Sequence, residues 1–173
     1  MKVKKTKLKN LLIIQNKKFF DNRGYFEELL KEKLIKKKFP FTVISHSKKH
    51  VLRGLHIQLK NSQGKYVSVI KGKIFDVAID LRLRSKTFGK HFTIELSEKN
   101  CRSIFIPEGF AHGFYAIAKE NLVLYQCTKY RSAGTEKGIM WNDRMLNIKW
   151  PNKKPIISKK DKQNLSLKEF LKL

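Results

Sequence analysis

Polar side chains interrupt several apolar segments of this sequence, and they are the residues with which the chain could do chemistry. Arg53 and His56 lie in the segment VLRGLHIQ, and His112 follows the turn PEGFA. An imidazole titrates near neutral pH, so a histidine can accept a proton without a large change in its pKa. A histidine inside a strand is nevertheless more often a hydrogen-bonded core residue, and an arginine there is usually solvated. The residue types alone leave both interpretations open.

The spacing of Arg53 and His56 limits how they could act together. Successive side chains of a strand point to opposite faces, so two residues that are three positions apart should face away from each other. Gly54 lies between them, and glycine is the residue that a bulge or kink uses. We therefore expect a local irregularity at Gly54 if Arg53 and His56 share one pocket.

Two carboxylates occupy the apolar segment IFDVAIDL. Asp76 and Asp80 are four residues apart, which places them on one face of a strand. A buried carboxylate is costly unless it is paired, so we expect both to meet cationic or hydrogen-bonding partners. Structural pairing explains them at least as well as catalysis does.

Other common site chemistries have little support in this sequence. His46, His50, His56 and His112 are scattered, and no H-x-H pair is present, so no dedicated metal site is predicted. The sequence also lacks a G-x-S-x-G elbow, a Walker loop and a G-x-G-x-x-G fingerprint. Acyl transfer to a serine nucleophile and dinucleotide redox chemistry are therefore not indicated.

The chain is strongly basic, with a formal net charge of +25 over 173 residues. Clustered Lys and Arg would indicate nucleic-acid binding, but here they are spread from Lys2 to Lys172 without a recognition module. We interpret the charge as a Lys-rich surface that would also attract an anionic substrate, and we predict no nucleic-acid partner.

Composition and cysteine usage indicate a folded cytoplasmic protein. Hydrophobic residues make up 41% of the chain, and no apolar run is long enough to span a bilayer. The start of the sequence has too short an apolar stretch for a signal peptide. The two cysteines, Cys101 and Cys127, fall in apparent strands and are predicted to be free thiols of the cytoplasm.

Nine short apolar segments separated by turn residues predict an all-β domain, either a sandwich or a barrel. They are Leu11–Gln15, Phe41–His46, Val51–Gln58, Tyr66–Ile70, Ile74–Leu81, Phe92–Leu96, Ser103–Ile106, His112–Ala118 and Val123–Tyr130. Two helical pieces are predicted, one over Phe26–Lys37 and one that a capping box opens at Ser166. No linker or repeat is visible, so residues 1–173 are predicted to form one domain.

Six segments, taken together and in order, resemble the dTDP-4-dehydrorhamnose 3,5-epimerase family. R-G-L-H-x-Q combined with I-P-E-G-F-A-H-G-F is the most specific part of the match. The matching segments are KFFDNRGYFEE at 18–28, VLRGLHIQ at 51–58, QGK at 63–65, GKIFDVAIDLR at 72–82, FIPEGFAHGF at 105–114 and GIMWND at 138–143.

The resemblance implies a cupin-like jelly-roll β-sandwich with short peripheral helices, an N-terminal arm and a short C-terminal helical segment. It implies a homodimer that needs neither a metal nor a nucleotide cofactor. The reaction that it implies is removal of a proton from C5 and then C3 of a dTDP-linked 4-keto-6-deoxy sugar, with return of each proton from the opposite face.

The family motifs assign four catalytic roles to this sequence. His56 resembles the general base, and Asp161 resembles the carboxylate that orients it and stabilises the imidazolium. Lys65 resembles the cation beside the ketone oxygen, where charge develops in the transition state. Tyr125 resembles the acid on the opposite face. Local sequence explains Asp161 equally well as a helix cap with Ser158, and Tyr125 as a core tyrosine.

Further positions resemble the substrate-binding part of the family site. Arg53 would meet the diphosphate, because a guanidinium can bind it with two hydrogen bonds. His112 would lie near the sugar, together with Gln58 and Asp76. Arg23, Phe26 and Glu28 would form an arm that reaches the nucleotide of the partner subunit. Phe26 could stack on thymine, or it could simply anchor the start of the helix.

The sequence departs from the family pattern at the nucleotide end. Val43 and Ser45 stand where members commonly carry Gln and Asn, and Arg131 stands where many carry a second tyrosine. The loop before Val51 is also short. The reaction type is therefore better supported than the nucleotide.

Two alternative functions remain open from the sequence. One is an epimerase that acts only at C3 or only at C5 of a related 4-keto nucleotide sugar. The other is a jelly roll that binds sugar nucleotides without catalysis, although His56, Lys65, Tyr125 and Asp161 are all present.

Overall fold

The computed structural model describes all residues from Met1 to Leu173. Thirteen strands make up just under half of the chain, and two short α-helices accompany them. The strands are β1 Lys2–Lys5, β2 Leu12–Gln15, β3 Lys18–Asp21, β4 Gly24–Glu27, β5 Phe41–Lys48, β6 Leu52–Gln58, β7 Lys65–Lys71, β8 Lys73–Asp80, β9 His91–Ser97, β10 Arg102–Ile106, β11 Phe110–Ala116, β12 Glu120–Cys127 and β13 Glu136–Gly138. The helices are α1 Glu32–Ile35 and α2 Leu167–Phe170, with 3₁₀ turns at Ala133–Thr135 and Asp161–Gln163.

Two antiparallel sheets form the sandwich. The first has six strands in the order β1-β2-β10-β7-β12-β5, and the second has five in the order β13-β6-β11-β8-β9. Strands that are far apart in sequence are neighbours in both sheets, as in a jelly roll, and this confirms the predicted all-β fold class. Strands β3 and β4 pair only with each other.

The second sheet is buried on both faces, which explains its long apolar segments. Ile74 and Ala78 of β8 pack toward the first sheet, and Val77 and Ile79 pack on the other side. That other side is covered by the C-terminal part of the chain, including Leu146, Leu167 and Phe170. The C-terminal segment is thereby held against the back of the sheet that carries His56.

The predicted irregularity at Gly54 is present. The pairing register between β6 and β11 shifts between His112 and Phe114, opposite Gly54. Gly54 has a φ of +121°, and a Cβ added there would lie 2.6 Å from the Cα of Gly113. Only glycine allows the two strands to approach so closely in this conformation.

The predicted helix over Phe26–Lys37 is wrong for most of its length. Phe26 lies in β4, where it pairs with Phe19, and α1 covers only Glu32–Ile35. The turn at Gly24, with φ of +135°, closes the hairpin of β3 and β4. The hairpin is rich in aromatic residues, and their strand propensity outweighs the helix-like spacing of the leucines. Lys36 then ends α1 in the left-handed conformation.

The C-terminal helix is confirmed together with its capping box. Ser166 Oγ accepts from the backbone N–H of Glu169, and the Glu169 side chain accepts from the backbone N–H of Ser166. The predicted strands are present with ends shifted by a few residues, and Cys101 lies in the turn before β10 instead of in a strand. No helix of the chain is long and apolar enough to cross a membrane.

We expect Gly54→Ala to lower the free energy of unfolding by at least about 2 kcal/mol, because the new methyl group would meet backbone atoms of β11. Thermal denaturation measures the change. Gly134→Ala is the control, since no atom lies within 4 Å of a Cβ there and it should be nearly neutral. Equal stability of both variants would show that the close approach of β6 and β11 is wrong.

Candidate active site

A cavity of about 640 Å³ opens between the two sheets, and it contains most of the predicted site residues. Both sheets and the segment before the second 3₁₀ turn contribute to its walls. The polar residues that line it include Ser45, Arg53, His56, Lys65, His112, Tyr125, Arg131, Glu136, Lys160 and Asp161. Arg53 and His56 both face this space, although simple alternation would separate them.

His56 and Asp161 form the central hydrogen bond of the cavity. The distance between His56 Nε2 and Asp161 Oδ1 is 2.7 Å, and Asp161 is buried. Because the carboxylate engages Nε2, the other ring nitrogen, Nδ1, is the one left to accept a proton. Nδ1 of His56 has no hydrogen-bond partner within the protein.

Local contacts hold the Asp161 carboxylate in its ionised form. Burial alone would raise its pKa, but hydrogen bonds from His56 and from the backbone N–H of Gly54 hold the pKa below its ordinary value. The backbone N–H of Asp161 also donates to Ser158 Oγ at 3.0 Å. The contact of Asp161 with Ser158 and its contact with His56 therefore exist together, although Lys160 and not Ser158 is the N-cap residue of the 3₁₀ turn.

A second carboxylate–imidazole pair lies beside the first. His112 is the cross-strand neighbour of His56, and its Nε2 lies 2.7 Å from Asp76 Oδ2. Asp76 and His112 are both buried, so the expected pairing of Asp76 is confirmed. Asp80 is paired as well, with the guanidinium of Arg82.

Lys65 is a cation without a counter-ion in the cavity wall. No carboxylate lies within ion-pair distance of its Nζ, whereas Arg131 and Lys160 are both paired with Glu136. Burial lowers the pKa of Lys65 below its ordinary value of 10.5, against the opposing effect of Cys127 and of Glu136. An unpaired ammonium in such a place is available for negative charge on a ligand.

Tyr125 brings a hydroxyl into the cavity from the first sheet. Its Oη lies 3.1 Å from Ser45 Oγ, and its ring packs edge-on against His112 with 6.1 Å between centroids. Burial raises the pKa of this hydroxyl, so the tyrosine keeps its proton. His56 is on the second sheet, and the two groups therefore face the cavity from different sheets.

Arg53 lies at the exposed side of the cavity and is held by strand β5. Its Nε donates to Ser47 Oγ at 2.9 Å, and its Nη2 donates to the carbonyl oxygen of His46 at 2.9 Å. Two contacts fix the guanidinium plane, and its remaining N–H groups are free for a ligand.

Five of the predicted substrate-binding residues do not line the cavity. Asp76 lies behind His112, and Gln58 accepts from the backbone N–H of Ser132 at 2.8 Å, holding the loop that carries Arg131. Arg23 pairs with Asp21 at the tip of the β3–β4 hairpin, and Glu28 pairs with Lys31. Phe26 is 64% exposed, so it is not a core anchor at a helix start.

The cavity also holds residues that sequence reasoning did not select, namely Ser45, Cys127, Glu136 and Lys160. Glu136 binds both Lys160 and Arg131, and these two cations lower its pKa to about 2 despite the opposing effect of burial. Cys127 is the cross-strand neighbour of Lys65, and burial raises its pKa to about 11. No group of three or more His, Cys, Asp or Glu side chains is arranged to hold a metal ion.

The sequence model of a protein family described as dTDP-4-dehydrorhamnose 3,5-epimerase matches residues 5–169. The chain therefore belongs to this family. A dTDP-4-dehydrorhamnose 3,5-epimerase of Shigella flexneri is 44% identical over 93% of this chain and 93% of its own length. The one from Methanothermobacter thermautotrophicus is 43% identical over 95% of this chain and 94% of its own.

Solved structures of family members share the fold. A dTDP-6-deoxy-D-glucose-3,5-epimerase of Legionella pneumophila, in complex with dTDP-4-keto-L-rhamnose, has a TM-score of 0.93 and 40% identity, over 96% of this chain and 93% of that one. The epimerase of Elizabethkingia anophelis has a TM-score of 0.91 and 39% identity, over 98% and 97%. The cupin-like jelly roll expected from the sequence is thereby confirmed.

Proposed function

We propose that this chain is an isomerase that inverts C3 and C5 of dTDP-4-dehydro-6-deoxy-D-glucose, which gives dTDP-4-dehydro-L-rhamnose. The observation that carries the proposal is one cavity with a carboxylate-held imidazole, His56, on one sheet and a protonated hydroxyl, Tyr125, on the other. The family membership and the relatives of that name support the substrate.

The proton transfers follow from these positions. His56 Nδ1 takes the proton from the carbon beside the ketone, and the C–H electron pair moves into an enolate whose negative charge rests on the ketone oxygen. Lys65 stabilises that oxygen, because its ammonium is unpaired and partly desolvated. Asp161 stabilises the imidazolium that forms.

The configuration inverts when the new proton arrives from the other side. Tyr125 gives its hydroxyl proton to the carbon as the enolate collapses to the ketone. The imidazolium then releases its proton and the tyrosinate takes one up, both by exchange with water, so the enzyme returns to its starting state. His112, fixed by Asp76, contacts the Tyr125 ring and would border the sugar.

Arg53 is our candidate for the diphosphate. Ser47 and the His46 carbonyl already orient its guanidinium at the exposed side of the cavity. A fixed guanidinium suits two-point binding of phosphate oxygens. A family member in complex with a dTDP-linked keto sugar supports a nucleotide of this kind.

The β3–β4 hairpin is our candidate for a contact between two copies of the chain. It pairs with neither large sheet, and Phe19, Phe20, Tyr25 and Phe26 are all about half exposed or more. Phe19 packs with Phe26 on one face of the hairpin and Phe20 with Tyr25 on the other, and exposed aromatic side chains are typical of an interaction surface. We propose a homodimer in which Arg23, Phe26 and Glu28 approach the nucleotide of the partner subunit.

Residues 1–173 act as one domain in this proposal, because both sheets and the C-terminal segment build the same cavity. The cysteines Cys101 and Cys127 are free thiols, which fits the reducing cytoplasm in which we place the protein.

Incubation with the 4-keto sugar nucleotide in D₂O tests the proposed reaction. We expect deuterium at C3 and C5 of an inverted product. His56→Ala should lower exchange at both carbons by about 10²- to 10⁴-fold, because it removes the proposed general base. Tyr125→Phe should retain exchange and lose inversion.

His91→Ala is the control for the histidine variant, since His91 does not line the cavity and should exchange normally. Exchange that survives in His56→Ala would remove His56 as the base. Deuterium at only one carbon would indicate an epimerase that acts at that carbon alone. A folded protein that exchanges no proton would instead support a jelly roll that binds sugar nucleotides without catalysis.

The pH dependence of exchange tests Lys65. The cationic form of Lys65 stabilises the enolate, and the pKa of Lys65 lies below 10.5. The exchange rate should therefore fall at alkaline pH, on a limb whose midpoint lies below pH 10.5. Lys65→Arg should lower the rate at neutral pH and remove the limb, because a guanidinium keeps its proton. An unchanged limb in Lys65→Arg would assign it to another group.

A further inference from the structure

Ser45 is a cavity residue with one specific contact. Its hydroxyl oxygen lies 3.1 Å from the hydroxyl oxygen of Tyr125, and this is the only side-chain hydrogen bond that Ser45 makes. Ser45 is half-buried on β5, the edge strand of the first sheet. Its hydroxyl can therefore rotate between accepting from Tyr125 and donating to it.

We propose that Ser45 is the positioning residue for proton delivery by Tyr125, a role that rests on the proposed function. While Tyr125 is protonated, the contact fixes the direction of its hydroxyl in the cavity. When Tyr125 has given its proton to carbon, Ser45 donates to the tyrosinate oxygen and stabilises it.

The surroundings of Tyr125 make such a donor necessary. Burial disfavours the charged tyrosinate, and the carboxylate of Asp76 disfavours it further. Ser45 and Arg53 are the groups that act in the opposite direction. Arg53 is at the exposed side and is proposed to bind diphosphate, so Ser45 is the neutral donor in direct contact with the phenol.

The strand geometry gives β5 two related tasks. Ser45 and Ser47 are two residues apart and share one face of the strand. Ser45 contacts Tyr125, and Ser47 contacts Arg53, so one short edge holds both the acid and the proposed diphosphate ligand. Ser45, which the resemblance assigns to the nucleotide end, therefore lies beside the proposed acid.

A merely structural role for the Ser45 hydroxyl is less well supported. Strands β5 and β12 already pair along their full length, from Phe41 with Cys127 to Lys48 with Glu120. One additional contact between their side chains adds little to such a ladder. The hydroxyl should therefore influence the proton transfer more than the stability of the sheet.

The test measures how the enolate partitions in D₂O. Deuterium delivered by Tyr125 gives inverted product, whereas deuterium returned by His56 gives labelled substrate that is not inverted. We expect Ser45→Ala to lower the ratio of inverted to uninverted labelled sugar by about three- to tenfold, as for loss of one hydrogen bond. This ratio does not depend on how much of the enzyme is folded.

Two matched variants complete the experiment. Ser45→Thr keeps a hydroxyl and should restore the ratio, and Thr42→Ala removes a hydroxyl from the same strand outside the cavity and should leave it unchanged. An unchanged ratio in Ser45→Ala, or an equal fall in Ser45→Ala and Ser45→Thr, would overturn the role of Ser45 while the wild-type protein still inverts. A wild-type protein that neither exchanges nor inverts would remove the proposed function, and this role with it.

Discussion

The hydrogen bond between His56 and Asp161 joins parts of the chain that are 105 residues apart. Asp161 reaches His56 because the C-terminal segment crosses the sheet that carries His56, and neighbouring hydrogen bonds hold that segment in place. The backbone N–H of Gly54 donates to Asp161, and the Asn164 side chain donates to the carbonyl oxygen of Gly54. The irregularity of β6 at Gly54 thus holds the carboxylate and also brings Arg53 and His56 to one cavity.

The two sheets divide the proposed chemistry between them. The second sheet supplies His56 and the His112–Asp76 pair, and the first supplies Lys65 and Tyr125. A planar enolate between them would meet a base on one side and an acid on the other, which is what inversion needs. Arg131 and Lys160 share the single carboxylate of Glu136, whereas Lys65 has no carboxylate partner.

The sequence predicted those parts of the structure that depend on local pattern. Alternating apolar segments predicted most of the strands, and Ser166 with Glu169 predicted the C-terminal capping box. The position of Asp76 and Asp80 inside an apolar segment predicted that both would be paired, because a buried carboxylate is costly alone. Gly54 predicted the irregular pairing of β6, because a glycine inside a strand often marks a bulge or a close approach of another backbone.

The sequence could not predict what depends on contacts distant along the chain. The leucines after Glu28 have helical spacing, but Phe26 pairs with Phe19 in the hairpin and the helix covers only Glu32–Ile35. The residues next to Asp161 in the sequence indicate only a helix cap, and it is the fold that brings Asp161 to His56. Ser45 and Glu136 have no local signal, because their partners Tyr125 and Lys160 lie on other parts of the sandwich.

The most direct test of the central claim is the tautomer of His56, read from ¹⁵N NMR spectra with the signals assigned by comparison with His56→Ala. Asp161 should hold the proton of the neutral ring on Nε2, so Nε2 should show the shift of a protonated nitrogen and Nδ1 that of an unprotonated one. In Asp161→Asn this preference should weaken. A neutral His56 with its proton on Nδ1 in the native protein would contradict the account, because the nitrogen proposed as the base would then be occupied.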